Sequence, residues 1–249
     1  GRLRSRLGIP LNCWGNQFVF DASKDISAHI KRQYGYDGDL LKIFVQNKGK
    51  AIDKWHHYIP LYDRYFSRYR GTAVRFLEIG VSRGGSLSMW RKFLGEDAII
   101  YGIDVNPACA EFNGCDGQVR IGSQADEEFL RSVVGEMGGV DIVLDDGSHV
   151  MGHIESSLKT LFPLLCVGGV YFVEDLHTCF WRGWGGGYAS KRNFFNVVSR
   201  LINDMHHWYH DSGIGVNEVG SSLSAIHVHD SIVVLEKGVP CHPVHSQVG

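Results

Sequence analysis

The chain has no C-x-x-C pair, no surplus of either charge, no apolar run long enough to span a bilayer and no internal repeat. Each absence removes a class of function. Six scattered cysteines (Cys13, Cys109, Cys115, Cys166, Cys179 and Cys241) offer neither zinc-site spacing nor the density of a disulfide-stapled domain, so free thiols in a reducing compartment are expected. Lys plus Arg number 25 against 27 Asp plus Glu, a formal charge of −2, which leaves no global basic field to hold a nucleic acid. With no membrane-length span, and no basic-then-apolar start typical of a secretion signal, the expected location is cytoplasmic, away from any membrane.

What is present is enough apolar material, 44% of 249 residues, for one substantial core. The expected division is a helical N-terminal extension over 1–70 and a catalytic domain over 71–249. Within the extension a helix is expected over 26–34, and the run 54–69 places Trp55, Tyr58, Leu61, Tyr62, Tyr65 and Phe66 near helical spacing despite Pro60. This aromatic region is suited to packing on the domain edge or covering a subunit interface, hence an expected homo-oligomer.

From Thr72 onward, short β-branched runs alternate with helical stretches, which is how β-α-β units read in sequence. Strands are expected over 74–81, 98–105, 119–122, 140–144 and 169–174, and helices over 86–94, 126–135, 153–165 and 191–209. In the last helix Phe194, Val198, Leu201, Met205 and Trp208 form one apolar stripe. Residues 223–237 read as two strands turning at His229-Asp230-Ser231. The sum is an α/β protein: a Rossmann-like, mostly parallel seven-stranded sheet closed by a C-terminal antiparallel hairpin.

The first strand ends in Glu78-Ile79-Gly80-Val81-Ser82-Arg83-Gly84-Gly85-Ser86, a sharp turn that brings backbone close to a ligand. It is not G-x-G-x-x-G, so a dinucleotide pyrophosphate is served less well than a cofactor lacking phosphate. Asp104 closes the second strand 24 residues beyond Gly80, where a carboxylate accepts from ribose hydroxyls. The third strand runs into Ser123 and Gln124, a polar turn suited to an adenine edge. Glu78, Gly80, Ser86, Asp104, Ser123, Gln124 and Asp145 are therefore the candidate cofactor residues. Taken singly, each is equally a solvated strand end or an ordinary turn residue. In this order they resemble the cofactor motifs of the class I S-adenosylmethionine-dependent methyltransferases, and that resemblance implies S-adenosylmethionine as methyl donor.

The fourth and fifth strands run into Asp145-Asp146-Gly147-Ser148-His149 and Glu174-Asp175-Leu176-His177. Open α/β sheets keep their ligands at these carboxyl ends. Asp146, Glu174 and Asp175 are three hard oxygen donors suited to Mg²⁺, and a cation gives their crowding a physical reason. His149 follows three residues past Asp146, and histidine is the side chain suited to general-base work near neutrality. The alternative is a helix cap at Asp145 or Asp146 and a solvated Glu174-Asp175 pair.

Together, D-D-G-S-H and V-E-D-L-H-T resemble the metal-dependent O-methyltransferases that act on sugars of macrolides and related glycosides. Proteins named rhamnosyl O-methyltransferases or cephalosporin hydroxylases share much of this motif set. The resemblance implies Asp146, Glu174 and Asp175 as metal ligands and His149 as catalytic base. Asp53-Lys54-Trp55-His56-His57-Tyr58 resembles a D-K-x-x-H-x-Y element of these enzymes, which implies Lys54, His57 and Tyr58 near the site. On the acceptor side, His177 and the loop bearing Trp181, Trp184 and Tyr188 offer flat faces to a sugar or an aromatic ring. The expected function is Mg²⁺-dependent transfer of a methyl group to a hydroxyl of a sugar or glycosylated small molecule. Alternatives are a catechol acceptor, a nicotinamide-dependent oxidoreductase, or a binding protein without turnover.

Overall fold

The structure, a computed structural model, describes residues 18–249 apart from Ala22 and Ser212. The first 17 residues, Cys13 among them, lie outside the described residues; the five described cysteines are free. Among the described residues, three α-helices come before the sheet: α1 (Ile26–Tyr34), α2 (Asp39–Val45) and α3 (Tyr58–Phe66). Asp25 caps α1, its carboxylate accepting from the Ala28 amide, and Gly35 ends it in the left-handed conformation. Pro60 is tolerated because it falls in the first turn of α3, where the missing N–H has no intrahelical partner to lose. The seven-residue α2 was not legible in the sequence, being too short to show a period.

The sheet follows: β1 (Arg75–Ile79), α4 (Gly85–Leu94), β2 (Ile99–Asp104), β3 (Gln118–Ile121), α5 (Glu127–Met137), β4 (Val140–Asp145), α6 (Met151–Leu161), β5 (Leu165–Val173), α7 (Phe194–Met205), α8 (Glu218–Ser222), β6 (Leu223–His229) and β7 (Ile232–Lys237). Seven strands lie in the order β3-β2-β1-β4-β5-β7-β6. Strands β1 to β5 pair in parallel, while β7 pairs antiparallel with both β5 and β6. This is the Rossmann-like sheet with a terminal hairpin. Among the described residues, no helix is long and apolar enough to cross a membrane.

Two apolar layers follow from strand alternation. Leu77, Tyr101, Val143, Tyr171 and Leu235 face α5, α6 and α7 on one side. Phe76, Ile100, Ile142, Phe172 and Val234 face α4 and the N-terminal helices on the other. There α3 lies flat on the sheet: Tyr62 packs against Trp90 and Phe172, each at 5.2 Å between ring centroids, and Phe66 against both of them. The aromatic run thus packs on the domain as expected, with Tyr58, Tyr62 and Phe66 fully buried. The expected stripe of α7 also shortens. The helix ends at Met205, His207–Tyr209 form a 3-10 turn, and Trp208 is exposed rather than part of the stripe.

Strand order reverses between β1 and β4, and at such a switch point open α/β sheets keep a ligand crevice. The walls are held close at its base. Gly80 has φ 101°, its N–H bonds the Ile103 carbonyl, and a Cβ in its place would meet the Asp146 carbonyl oxygen at 2.0 Å. Gly80→Ala is therefore expected to cost at least ~2 kcal/mol in denaturant unfolding, through strain and backbone collision together. A cost near zero would show that the strand ends are free to part.

Candidate active site

At the crevice, β1 passes into α4 through a turn that uses three left-handed residues, Gly80, Ser82 (φ 52°) and Gly84 (φ 72°). Asp104 fixes that turn, its carboxylate accepting from the Ser82 amide at 2.9 Å and the Asn106 amide at 2.8 Å. Glu78 is fully buried; it accepts from Ser86 Oγ at 2.8 Å and Trp90 Nε1 at 3.1 Å. Burial pushes its carboxyl up to about 7, opposed by Lys54 and these two donors. Ser123 turns its hydroxyl to the Ala125 amide at the mouth of the next loop.

Gln124 and Asp145 are both buried and bonded to one another. Gln124 Nε2 donates to Asp145 at 3.0 and 3.2 Å, and Gln124 Oε1 accepts from the Ser148 amide at 2.6 Å. Asp145 also accepts from Ser157 Oγ and Tyr171 OH. The reason is burial: Asp145 is 1% exposed, and a buried carboxylate must be satisfied by protein donors. Both side chains are committed to holding the Gly147-Ser148-His149 loop against the sheet.

Asp146, Glu174 and Asp175 do converge, from the ends of β4 and β5. The Glu174 amide bonds the Asp145 carbonyl, so the two strand ends stay in register past the last strand residue. Three side chains from the N-terminal extension reach them. Lys54 Nζ lies 2.5 Å from both Asp146 Oδ2 and Glu174 Oε1, Tyr62 OH donates to Glu174 Oε2, and Tyr58 OH donates to Asp175 Oδ1 at 2.9 Å. Burial alone would lower the Lys54 ammonium, but Asp146, Glu174 and Glu78 outweigh it and hold it charged. One ammonium cannot balance so many acids. Burial pushes Asp146 up to about 6 against the pull of Lys54, and burial and then the Asp146 charge push Glu174 well above the usual glutamate range.

His149 stands over the group with φ 57°, and Asp175 has φ 58°, two non-glycine residues in the left-handed region at one site. His149 Nε2 is 3.7 Å from Asp146 Oδ1 and 3.6 Å from Asp175 Oδ2, beyond hydrogen-bond reach of either. Among the described residues, one atom each of Asp146, His149 and Asp175 lie within 4.8 Å of one another. Two carboxylates and an imidazole are donors of the kind that would hold a divalent ion. Glu174 lies outside that trio, with one oxygen on Lys54 and the other on Tyr62.

An aromatic wall stands beside this group. Trp55 meets His177 edge-on at 5.3 Å, His177 meets Trp181 at 5.0 Å, and Trp181 meets Trp184 at 5.4 Å. Ser231, at the hairpin turn, sits 2.7 Å from His177 Nδ1 and accepts from the His177 amide at 3.0 Å. Trp184 is buried behind Trp181, while Tyr188 projects into solvent, 89% exposed. The loop is knit rather than open: the Gly187 amide and Asn193 Nδ2 both bond the Cys179 carbonyl. Sequence reading passed over Tyr62, which looked purely apolar one turn beyond Tyr58, and over Trp55 and Ser231 as site residues. Lys54 had only the D-K-x-x-H-x-Y element as its signal.

Residues 77–176 match a family model described as a methyltransferase domain. The 8-demethyl-8-(2-methoxy-alpha-L-rhamnosyl)-tetracenomycin-C 3'-O-methyltransferase of Streptomyces olivaceus is 37% identical over 81% of this chain and 54% of its own length. The demethylmacrocin O-methyltransferase of Streptomyces fradiae is 36% identical over 75% and 50% respectively. Among solved structures, the methyltransferase MycE of the mycinamycin biosynthetic pathway, in complex with Mg and SAH, superposes with a TM-score of 0.73 at 32% identity, covering 82% of this chain and 55% of that one. The chain thus spans about half the length of the curated relatives it matches. These matches favour the methyl-transfer reading over the nicotinamide alternative.

Gln124→Ala is expected to cost ~1–3 kcal/mol in chemical denaturation, since it strips a buried carboxylate and the Ser148 amide of their partner. An unchanged midpoint would mean that the Gly147-Ser148-His149 loop is held by other contacts.

Proposed function

We propose that the chain is an S-adenosylmethionine-dependent methyltransferase that moves the methyl of S-adenosylmethionine to a hydroxyl of a sugar on a glycosylated natural product, with Mg²⁺ bound; the methyltransferase-domain match and the Rossmann-like fold support this reading. One observation carries the reading: Asp146, His149 and Asp175 meet at the ends of β4 and β5, beside the Gly80 turn. Relatives named for sugar O-methylation support the acceptor class, among them the mycinamicin VI 2''-O-methyltransferase of Micromonospora griseorubida, 35% identical over 74% of this chain.

Asp146, Asp175 and Glu174 would hold the Mg²⁺. The ion supplies a positive charge that makes an acceptor hydroxyl more acidic. His149 then takes the hydroxyl proton at Nε2, with Asp146 and Asp175 close enough to stabilise the imidazolium that forms. The ring is partly exposed, so it can return the proton to solvent. Asp104, with the Gly80 turn, would meet the ribose and Ser123 the adenine side, while Glu78 and Ser86 would lie toward the sulfonium end. His177 and Trp181 bound the acceptor side and keep water from the transferring methyl, and Tyr58 holds Asp175 in position.

The direct test is transfer of labelled methyl from S-adenosylmethionine to rhamnosylated polyketides, macrolide glycosides and catechols. Turnover is expected with glycosides, to be lost with EDTA and restored by Mg²⁺. His149→Ala is expected to cut kcat by about 100-fold or more, leaving S-adenosylhomocysteine affinity within about threefold. Turnover with catechols alone, activity in EDTA, or an unimpaired His149 variant would each count against the corresponding part of this reading.

A further inference from the structure

Lys54 Nζ stands between two of the three carboxylates assigned to the cation, 2.5 Å from an oxygen of each, with its side chain only 2% exposed. The remaining oxygen of Glu174 takes the Tyr62 hydroxyl. Glu174 therefore has no oxygen left over, and Asp146 has only Oδ1. For Glu174 to reach a divalent ion, the ammonium must give up its contact, because two cations at one carboxylate oxygen repel strongly in so dry a place. Lys54 can withdraw. It lies in the non-helical stretch before α3, between exposed Asp53 and half-buried Trp55, and nothing in a helix ladder fixes its backbone. Without any cation, by contrast, Asp146, Glu174 and Asp175 would sit together unbalanced.

We propose that Lys54 is a resident stand-in for the divalent ion: its ammonium neutralises Asp146 and Glu174 when no ion is bound, and it is displaced from Glu174 when the ion enters. It is a positioning residue that keeps the empty site folded at the expense of ion affinity. The proposal rests on the assignment of Glu174 and Asp146 to the ion in the preceding reading. It differs from a merely structural ion pair, which would stay closed whether or not an ion is present.

Mn²⁺ is the probe, read without any turnover by its paramagnetic resonance signal and by calorimetry. Lys54→Met, close in length but uncharged, is expected to bind Mn²⁺ at least about tenfold more tightly than the unaltered protein and to lose thermal stability when EDTA is present. Since that variant leaves two buried carboxylates unpaired, a second measurement uses the unaltered chain: acetylation of Lys54 by an amine-reactive ester, followed by peptide mass spectrometry. Lys54 is expected to react at least about tenfold faster in Mn²⁺-saturated protein than in EDTA. Mn²⁺ binding by the unaltered protein, combined with equal or weaker binding by Lys54→Met or with equal protection of Lys54 in both states, overturns this proposal alone. No Mn²⁺ binding by either protein overturns it together with the metal reading.

Discussion

Four carboxylates, Glu78, Asp146, Glu174 and Asp175, are gathered at one end of one sheet with a single buried ammonium, Lys54, among them. Gathering like charges in a desolvated crevice is unfavourable unless something positive or a proton donor meets each of them. The chain meets the demand from its N-terminal side, with Lys54 on Asp146 and Glu174, Tyr62 on Glu174 and Tyr58 on Asp175. This explains why α3 must lie on the sheet rather than beside it. Its apolar face packs on Trp90 and Phe172 while two of its hydroxyls reach the strand ends. The extension is a wall of the site, not an appendage to it.

The same gathering depends on how closely two strand ends approach. Gly80 lets the first loop pass against the Asp146 carbonyl, and Gln124 with Asp145 ties the next loop down from beneath. His149 and Asp175, each in a left-handed backbone conformation, then bring an imidazole and a carboxylate to face one another across 3.6 Å. Strain at those two residues is tolerated because buried hydrogen bonds on both sides hold the loops. Packing provides the stability, and the crevice uses part of it to hold an arrangement that an isolated loop would not adopt.

Much of this was legible in the sequence because it is periodic or punctuated. Alternating β-branched runs and the glycine turn gave the sheet and its carboxyl ends, and the hairpin was visible in 223–237. Asp146, Asp175 and His149 could be assembled because they follow strands directly. What escaped depends on tertiary contact. Nothing local shows that Gln124 folds inward onto Asp145, that Tyr62 spends its hydroxyl on Glu174, or that Ser231, from a turn 54 residues away, meets His177. The role of Trp208 was misread because an apolar stripe continues in sequence past the point where the helix ends.

The central claim is that the ends of β4 and β5 form a divalent-cation site beside the methyl-donor crevice. A crystal of the protein grown with Mn²⁺ and S-adenosylhomocysteine, measured near the manganese edge, tests it most directly. The account expects one strong anomalous peak bounded by Asp146, Asp175 and Glu174, with His149 facing it and the nucleoside beyond Gly80. A peak elsewhere, or none while S-adenosylhomocysteine is clearly bound, would contradict it.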